Sequence, residues 1–282
     1  MTAQRLRELM DAGLVHAPGC YDALTATLVE QAGFEAAYLS GFALSAASLG
    51  QPDLGLLGLD DVVGAVRRIT ACIGIPLIAD IDTGFGGPLN VRRTVRQVEA
   101  AGAAAVQIED QVAPKRCGHF EDKEIVGLGD AVERVAIAAE ARRGDIVLIA
   151  RTDAIAVAGL GEAISRAKAF VDAGADVVFV EAIEDAQQLA AVAAEVPGTP
   201  LLYNAVEGGR SPLLDAETLG AAGVRILIHP VTLLLESIAA QQAALAALRD
   251  DHLATHATLA LAKAVVGADE AMAFHAAHVP PA

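Results

Sequence analysis

One unit recurs along the chain and limits what it can fold into: a helical stretch, a glycine, then a short β-rich run ending in polar residues. It occurs as QAGFEAAYLSG (31–41), AAGAAAVQIED (100–110), DAGADVVFVEA (172–182) and AAGVRILIHP (221–230). Glycine suits the left-handed position just past a helix end, so each of these glycines marks a helix stop. Gly33, Gly102 and Gly174 lie 69 and 72 residues apart, which leaves room for two strand–helix units per interval. IPLIADID (75–82), DIVLIART (145–152) and TPLLYN (199–204) supply the missing strands, and LVHAPG (14–19) a first one. The strands are apolar on both faces and alternate with amphipathic helical patterns such as VRRTVRQVEAAG (91–102). That pattern predicts a parallel sheet covered by crossover helices. Eight such units predict an α/β fold, a closed (β/α)8 TIM-type barrel with a C-terminal helical extension. Residues 232–282, Ala-rich and helical in pattern, are expected to form the last barrel helix plus that tail. No linker rich in Pro, Gly and Ser divides the chain, so residues 1–282 read as one domain.

Composition narrows the function. Of 282 residues, 54% are hydrophobic, ample for a large core. The 20 basic residues face 36 acidic ones, a net charge of −16. Such a field repels phosphate backbones and anionic lipid, which excludes nucleic-acid and membrane-surface partners. It also requires that an anionic substrate be met by a local cation. The first residues, MTAQRLRELMDAGL, carry charges where a signal peptide would be apolar, and predict an amphipathic helix. No apolar run reaches the roughly 18–20 residues that span a bilayer. Three cysteines, Cys20, Cys72 and Cys117, make no disulfide framework, and a reducing cytoplasm is the expected location.

In a (β/α)8 barrel the active site lies at the C-terminal strand ends. Those ends carry Cys20, Tyr21 and Asp22, then Tyr38 and Ser40, Asp80 and Asp82, Glu109 and Asp110, Arg151 and Asp153, Glu181, Asn204 and His229. Clustered carboxylates repel, and some stay protonated unless a cation joins them. An all-oxygen set points to a hard ion, Mg2+ or Mn2+. Asp80 and Asp82, two apart on one strand, can both point inward, and Glu109 ends the next strand. Asp22 and Asp110 fit helix capping as well as they fit a site. DTGFGG (82–87) gives backbone room beside a metal site, and EGG (207–209) a tight turn. The polar run QVAPKRCGHFEDKEIVG (111–127) is far longer than an ordinary strand–helix connection, which suggests a functional lid. At its centre Cys117 is flanked by Lys115, Arg116 and His119, neighbours that depress a thiol pKa. Cys72 falls in a helical pattern and is expected in the core. His252, His256, His275 and His278 lie in the tail, where solvated or inter-subunit roles are expected.

Together, YLSG (38–41), SLGQPDLG (48–55), DIDTGFGG (80–87), IEDQ (108–111), KRCGH (115–119) and ARTDA (150–154) resemble the isocitrate lyase/phosphoenolpyruvate mutase superfamily over roughly residues 14–240. KRCGH is a signature of its carbon–carbon lyases. PGCYDALTA (18–26), SGFALSAASLG (40–50) and NAVEGG (204–209) look most like the petal death protein and 2,3-dimethylmalate lyase branch, with 2-methylisocitrate lyase second. The resemblance implies Mg2+-dependent cleavage of a 2-hydroxy dicarboxylate, of the 2-alkylmalate or 2-methylisocitrate type, into an α-keto acid and a carboxylate. The alternatives are hydrolysis of oxaloacetate to oxalate and acetate, and, behind it, phosphoenolpyruvate mutase or phosphonopyruvate hydrolase chemistry. It implies Mg2+ on Asp80, with Asp82 and Glu109 acting through water. It implies Ser40, Gly41 and Phe42 on a substrate carboxylate, with Asp53 nearby. Gly118, Arg151, Glu181 and Asn204 would contact the rest of the substrate. Cys117 would be the catalytic acid, with Lys115, Arg116 and His119 around it, and Tyr38 is the candidate base. The resemblance also implies a homotetramer whose terminal helices are exchanged between subunits. Phe42 stands where 2-methylisocitrate lyases continue with glycine, which disfavours a tricarboxylate.

Overall fold

The computed structural model describes residues 2–115, 123–209, 211–250 and 257–278. The chain divides into two compact units, Met1–Thr232 and Leu233–Ala282. The first is a closed barrel of eight parallel strands in sequence order: β1 (Val15–Cys20), β2 (Ala37–Leu39), β3 (Leu77–Asp80), β4 (Ala105–Glu109), β5 (Val147–Thr152), β6 (Val177–Val180), β7 (Leu201–Asn204) and β8 (Val224–His229). β1 closes the ring on β8, with Val15 opposite Ile226 and Pro18 opposite His229. All eight strands lie where the sequence pattern placed them.

The strands are apolar on both faces because both faces are covered. Tyr38, Ile78, Ile149, Phe179, Leu202 and Ile228 belong to one buried cluster, which Leu6, Leu9 and Met10 of the N-terminal helix Thr2–Ala12 join. Their strand neighbours Val178, Val180, Leu201, Tyr203 and Leu227 belong to a second cluster, with Ala163, Ala167, Leu189 and Val192 of the covering helices. The stop glycines Gly33, Gly102, Gly174 and Gly223 all have positive φ, between 77° and 100°. The polypeptide turns there because no Cβ opposes the left-handed conformation.

Two readings need correction. Asp82 is not on a strand: β3 ends at Asp80, and Asp82 has φ 49°, with its N–H donating to Asp80 Oδ1 at 3.1 Å. Cys72 is exposed, not core, because the helix Leu59–Thr70 stops two residues before it.

The long connection after β4 is stapled at its base. Val112 N–H donates to Glu124 O, Val126 N–H to Asp110 O, and Gln111 bridges Ile125. Arg116, Cys117, Gly118 and His119 lie outside the described residues.

The second unit contains the helices Leu259–Val265 and Ala268–His278 and nearly all of Thr232–Arg249. His275 and His278 lie on the last of these, while His252 and His256 are outside the described residues. Among the described residues no helix is long and apolar enough to cross a membrane.

Candidate active site

The C-terminal strand ends surround a cleft. Tyr38, Ser40, Phe42, Asp53, Asp80, Lys115, Arg151, Glu181 and Asn204 line it, together with Phe179 and an apolar wall of Val206, Ile228, Pro230 and Val231.

Each polar group is delivered by a strand end or by the turn that follows. Ser40 follows β2 and caps the helix Gly41–Leu49, its Oγ accepting from Ala43 N–H at 3.2 Å. The N-terminus of that helix therefore faces the cleft, and helix N-termini favour anions. Gly41 sits against the carboxylates. A Cβ there would lie 3.3 Å from Asp80 Oδ2 and 3.6 Å from Asp82 Oδ1, so the main chain approaches both acids at a distance that leaves little room for a side chain.

Lys115, from the connection after β4, places Nζ 2.6 and 2.7 Å from the two Asp53 oxygens and 2.8 Å from Asp82 Oδ1. Burial acts to lower its pKa, but Asp82, Glu109 and Asp53 prevail and hold the ammonium well above its ordinary value. Also in the cleft lining, Arg151 Nε and Nη2 donate to Asp153 Oδ2 and Oδ1 at 2.9 and 3.0 Å. The guanidinium lies 3.5 Å from Glu109, 3.6 Å from Glu181 and 5.2 Å from the Phe179 ring centre. Glu181 in turn accepts from Asn204 Nδ2 at 3.1 Å.

Tyr38 Oη is 3.0 Å from Gln107 Oε1 and 3.3 Å from Asp80 Oδ2. Burial first, then the Asp80 charge, push its hydroxyl well above the ordinary tyrosine range.

Among the described residues, Asp53, Asp80, Asp82, Glu109, Asp153 and Glu181 face only Lys115, Lys123 and Arg151 as cations of this network. The deficit shows in individual atoms. Glu109 Oε1 is buried without a hydrogen-bond partner, and Asp82 Oδ1 has only the Lys115 ammonium, at ion-pair distance without hydrogen-bond alignment. Burial pushes Asp82 up to about 7 and Glu109 well above its ordinary value. Buried acids that resist ionising fit a cation site. No three His, Cys, Asp or Glu side chains among the described residues close on a single point. An ion that keeps several waters and takes one or two carboxylates, as Mg2+ does, is the kind these residues fit.

The strand-end acids left out of the cleft have structural partners. Asp22 caps the helix Ala23–Gln31 in a reciprocal box with Thr25. Asp110 caps no helix, but accepts from Thr152 Oγ1, Asp153 N–H and Arg166 Nη1. Cys20 is buried, and burial pushes its thiol up to about 12. His229 stacks on His16, with ring centres 6.0 Å apart. In DTGFGG, Gly84 and Gly86 have positive φ, and a Cβ on Gly84 would strike Val91 at 2.6 Å.

Sequence reasoning passed over Gln107, Phe179 and Lys123. The first two were legible, since they stand two residues before Glu109 and Glu181 on the same inward faces. Lys123, whose Nζ lies 2.7 Å from Asp153, gave no such signal.

A closed eight-stranded barrel with carboxylates, a lysine and an arginine gathered in one cleft at its strand ends has the architecture of a (β/α)8-barrel enzyme. The chain belongs to the phosphoenolpyruvate mutase/isocitrate lyase superfamily: the phosphoenolpyruvate phosphomutase family model matches residues 6–249. It is 44% identical to 2,3-dimethylmalate lyase of Eubacterium barkeri over 81% of this chain and 80% of that protein. It is also 44% identical to 2-methylisocitrate lyase of Aeropyrum pernix, over 85% of this chain and 77% of that one. Among solved structures, 2,3-dimethylmalate lyase superposes with a TM-score of 0.93 at 38% identity, covering 98% of this chain and 95% of the other. Oxaloacetate acetylhydrolase bound to 3,3-difluorooxalacetate gives 0.92 at 39% identity, covering 96% and 95%. Phosphonopyruvate hydrolase in complex with oxalate and Mg++ gives 0.87 at 32% identity, covering 99% and 100%.

Proposed function

We propose that this enzyme is a divalent-metal-dependent carbon–carbon lyase that cleaves a 2-hydroxy dicarboxylate of the 2-alkylmalate type into an α-keto acid and a carboxylate. The observation that carries the reading is the buried acidic cluster, short of positive charge, set beside Arg151 in the cleft. Mg2+ on Asp80, with Asp82 and Glu109 contributing through water, would supply Lewis-acid stabilisation of negative charge on substrate oxygen.

The chain's own residues do the rest. Ser40 and the backbone at Gly41 and Phe42 take one carboxylate at the positive end of their helix. Arg151, held by Asp153, takes anionic charge on the opposite side. Glu181 and Asn204 fix the Arg151 edge and accept from the substrate. Tyr38 keeps its proton in the free protein. To serve as the base it would first release that proton to solvent, which offsetting the Asp80 charge favours, and the tyrosinate would then receive the hydroxyl proton. The C2–C3 electron pair then moves onto the carboxylate fragment as an enolate while the α-keto acid forms. Cys117 delivers a proton to that carbon, with Lys115, Arg116 and His119 as cationic surroundings, and Gly118 gives backbone room for substrate. Phe42 and the apolar wall favour small alkyl substituents over a third carboxylate.

Oxaloacetate hydrolysis is the second reading, favoured by the likeness to oxaloacetate acetylhydrolase. Phosphoenolpyruvate mutase and phosphonopyruvate hydrolase chemistry stands behind both. We read the chain as a single barrel domain with a helical extension, cytoplasmic and assembled as a homotetramer.

The test is a proton NMR product assay with Mg2+ or EDTA on 2,3-dimethylmalate, 2-methylisocitrate and oxaloacetate. Pyruvate from a hydroxy acid, lost in EDTA and in Asp80→Ala, is the expected result. Acetate from oxaloacetate, with no pyruvate from either hydroxy acid, moves the assignment to the hydrolase. Silence with all three substrates overturns both readings.

A further inference from the structure

Asp153 is fully buried and serves two cations at once. Its Oδ2 accepts from Arg151 Nε at 2.9 Å, and its Oδ1 accepts from Arg151 Nη2 at 3.0 Å and from Lys123 Nζ at 2.7 Å. The carboxylate is itself fixed, because the Asp153 N–H donates to Asp110, which also takes Thr152 and Arg166. Lys123 stands outside the cleft wall, with a side chain only 3% exposed. A lysine buried to that degree usually answers to a partner. Here that partner already has a bidentate arginine, which would neutralise it alone.

From this geometry we infer that Lys123 is a positioning residue that sets the anion-binding strength of Arg151 through the carboxylate they share. With Lys123 drawing on Oδ1, Asp153 orients the guanidinium without fully cancelling its charge. Glu109 and Glu181, 3.5 and 3.6 Å away, also draw on the guanidinium, so relieving it of part of Asp153 decides how much positive charge remains for an anion in the cleft. Without Lys123, Asp153 would belong to Arg151 alone, and the arginine would offer less to a substrate carboxylate. The effect is strong because all three groups are shielded from water. The inference rests on the placement of Arg151 at the substrate anion, proposed above, and gives Lys123 no contact with substrate.

Calorimetric titration with oxalate and Mg2+ tests it independently of turnover. Lys123→Met should weaken oxalate binding on the order of tenfold or more, the usual effect of losing a supporting partner behind a ligand-binding group. Lys123→Arg, which keeps the charge, should restore most of the affinity. In an Arg151→Lys background the Lys123→Met change should cost much less, because the residue it acts through is gone. Equal oxalate binding by the parent and Lys123→Met, including none by either, overturns the inference. So does a loss in Lys123→Arg as large as in Lys123→Met, or additivity with Arg151→Lys. A parent that binds oxalate but cleaves none of the hydroxy acids would sink the lyase reading and leave the role of Lys123 standing.

Discussion

Lys115 and Asp53, 62 residues apart in sequence, form a two-pronged ion pair, with the ammonium 2.6 and 2.7 Å from the two carboxylate oxygens. The side chains are 5% and 6% exposed, and the same ammonium reaches Asp82 at 2.8 Å. The pair ties the connection after β4 to the segment that follows the helix Gly41–Leu49, across the mouth of the cleft.

Removing one member of such a pair leaves the other charge buried, which costs about 3–5 kcal/mol where no water replaces it. Lys115→Met is therefore expected to lower the urea midpoint strongly. Lys115→Met with Asp53→Leu should recover part of the loss, since one of the abandoned carboxylates is gone. Urea denaturation of the parent, both single variants and the double variant measures this. Additive losses would mean that the two side chains do not depend on each other.

Asp82 carries a pH signature. Burial is the largest cause, with Asp80 and Asp53 adding to it and Lys115 opposing, and together they move the carboxyl from its ordinary 3.8 to about 7. In that interval the folded state holds a proton that the unfolded state has released, so stability falls as pH rises. Metal-free protein should lose melting temperature from this group between about pH 4 and 7, and Asp82→Asn should lose less over the same range. Added Mg2+ should stabilise the parent increasingly toward and above neutral pH, because a cation binds the ionised carboxylate. Scanning calorimetry in EDTA and in Mg2+ would show it. Identical pH slopes for the parent and Asp82→Asn would contradict the assignment.

Asp22 shows how far sequence alone could go. A strand-end aspartate reads equally well as a cap or as a site residue, and only the structure separates Asp22, boxed with Thr25, from Asp110, which holds Arg166 and caps nothing. Asp22→Ala should cost roughly 1 kcal/mol of stability, the usual loss for an N-cap. It should leave kcat/KM unchanged, and urea denaturation beside the product assay would decide. A large loss of turnover in a folded variant would return Asp22 to the site.

The eight strands and their terminal polar residues were legible because they rest on local rules. Glycine at a left-handed helix end and two-sided apolar strands need only a few neighbouring residues to be recognised. Asp82 was misplaced because the left-handed turn after Asp80 depends on the tertiary setting of that turn, where Gly84 packs against Val91 and Glu109 N–H donates to Asp82 O. Cys72 looked internal because the helical pattern ran two residues past the true helix end. The Lys123–Asp153 pair was invisible for another reason. Its members are 30 residues apart and carry no periodicity that links them.

The proposed reaction makes Cys117 the acid that protonates the enolate, and Cys117→Ser tests that role most directly. Serine is nearly isosteric, but its hydroxyl is far less acidic than a cysteine thiol. Positioned proton transfer contributes on the order of 10²–10⁴-fold to a reaction rate. The serine variant should therefore lose about that much in kcat. Oxalate with Mg2+ should still bind, because the metal and Arg151 sides of the cleft are untouched. The product assay gives turnover, and titration calorimetry gives binding. Deuterium from D2O should enter the methylene carbon of the carboxylate product in the parent, since the solvent-exchanged thiol supplies that proton. Full turnover in Cys117→Ser would take the acid role from Cys117. Loss of both turnover and oxalate binding would mean that the substitution disturbs the whole cleft, and the role would then have to be sought in another exchangeable group near the enolate carbon.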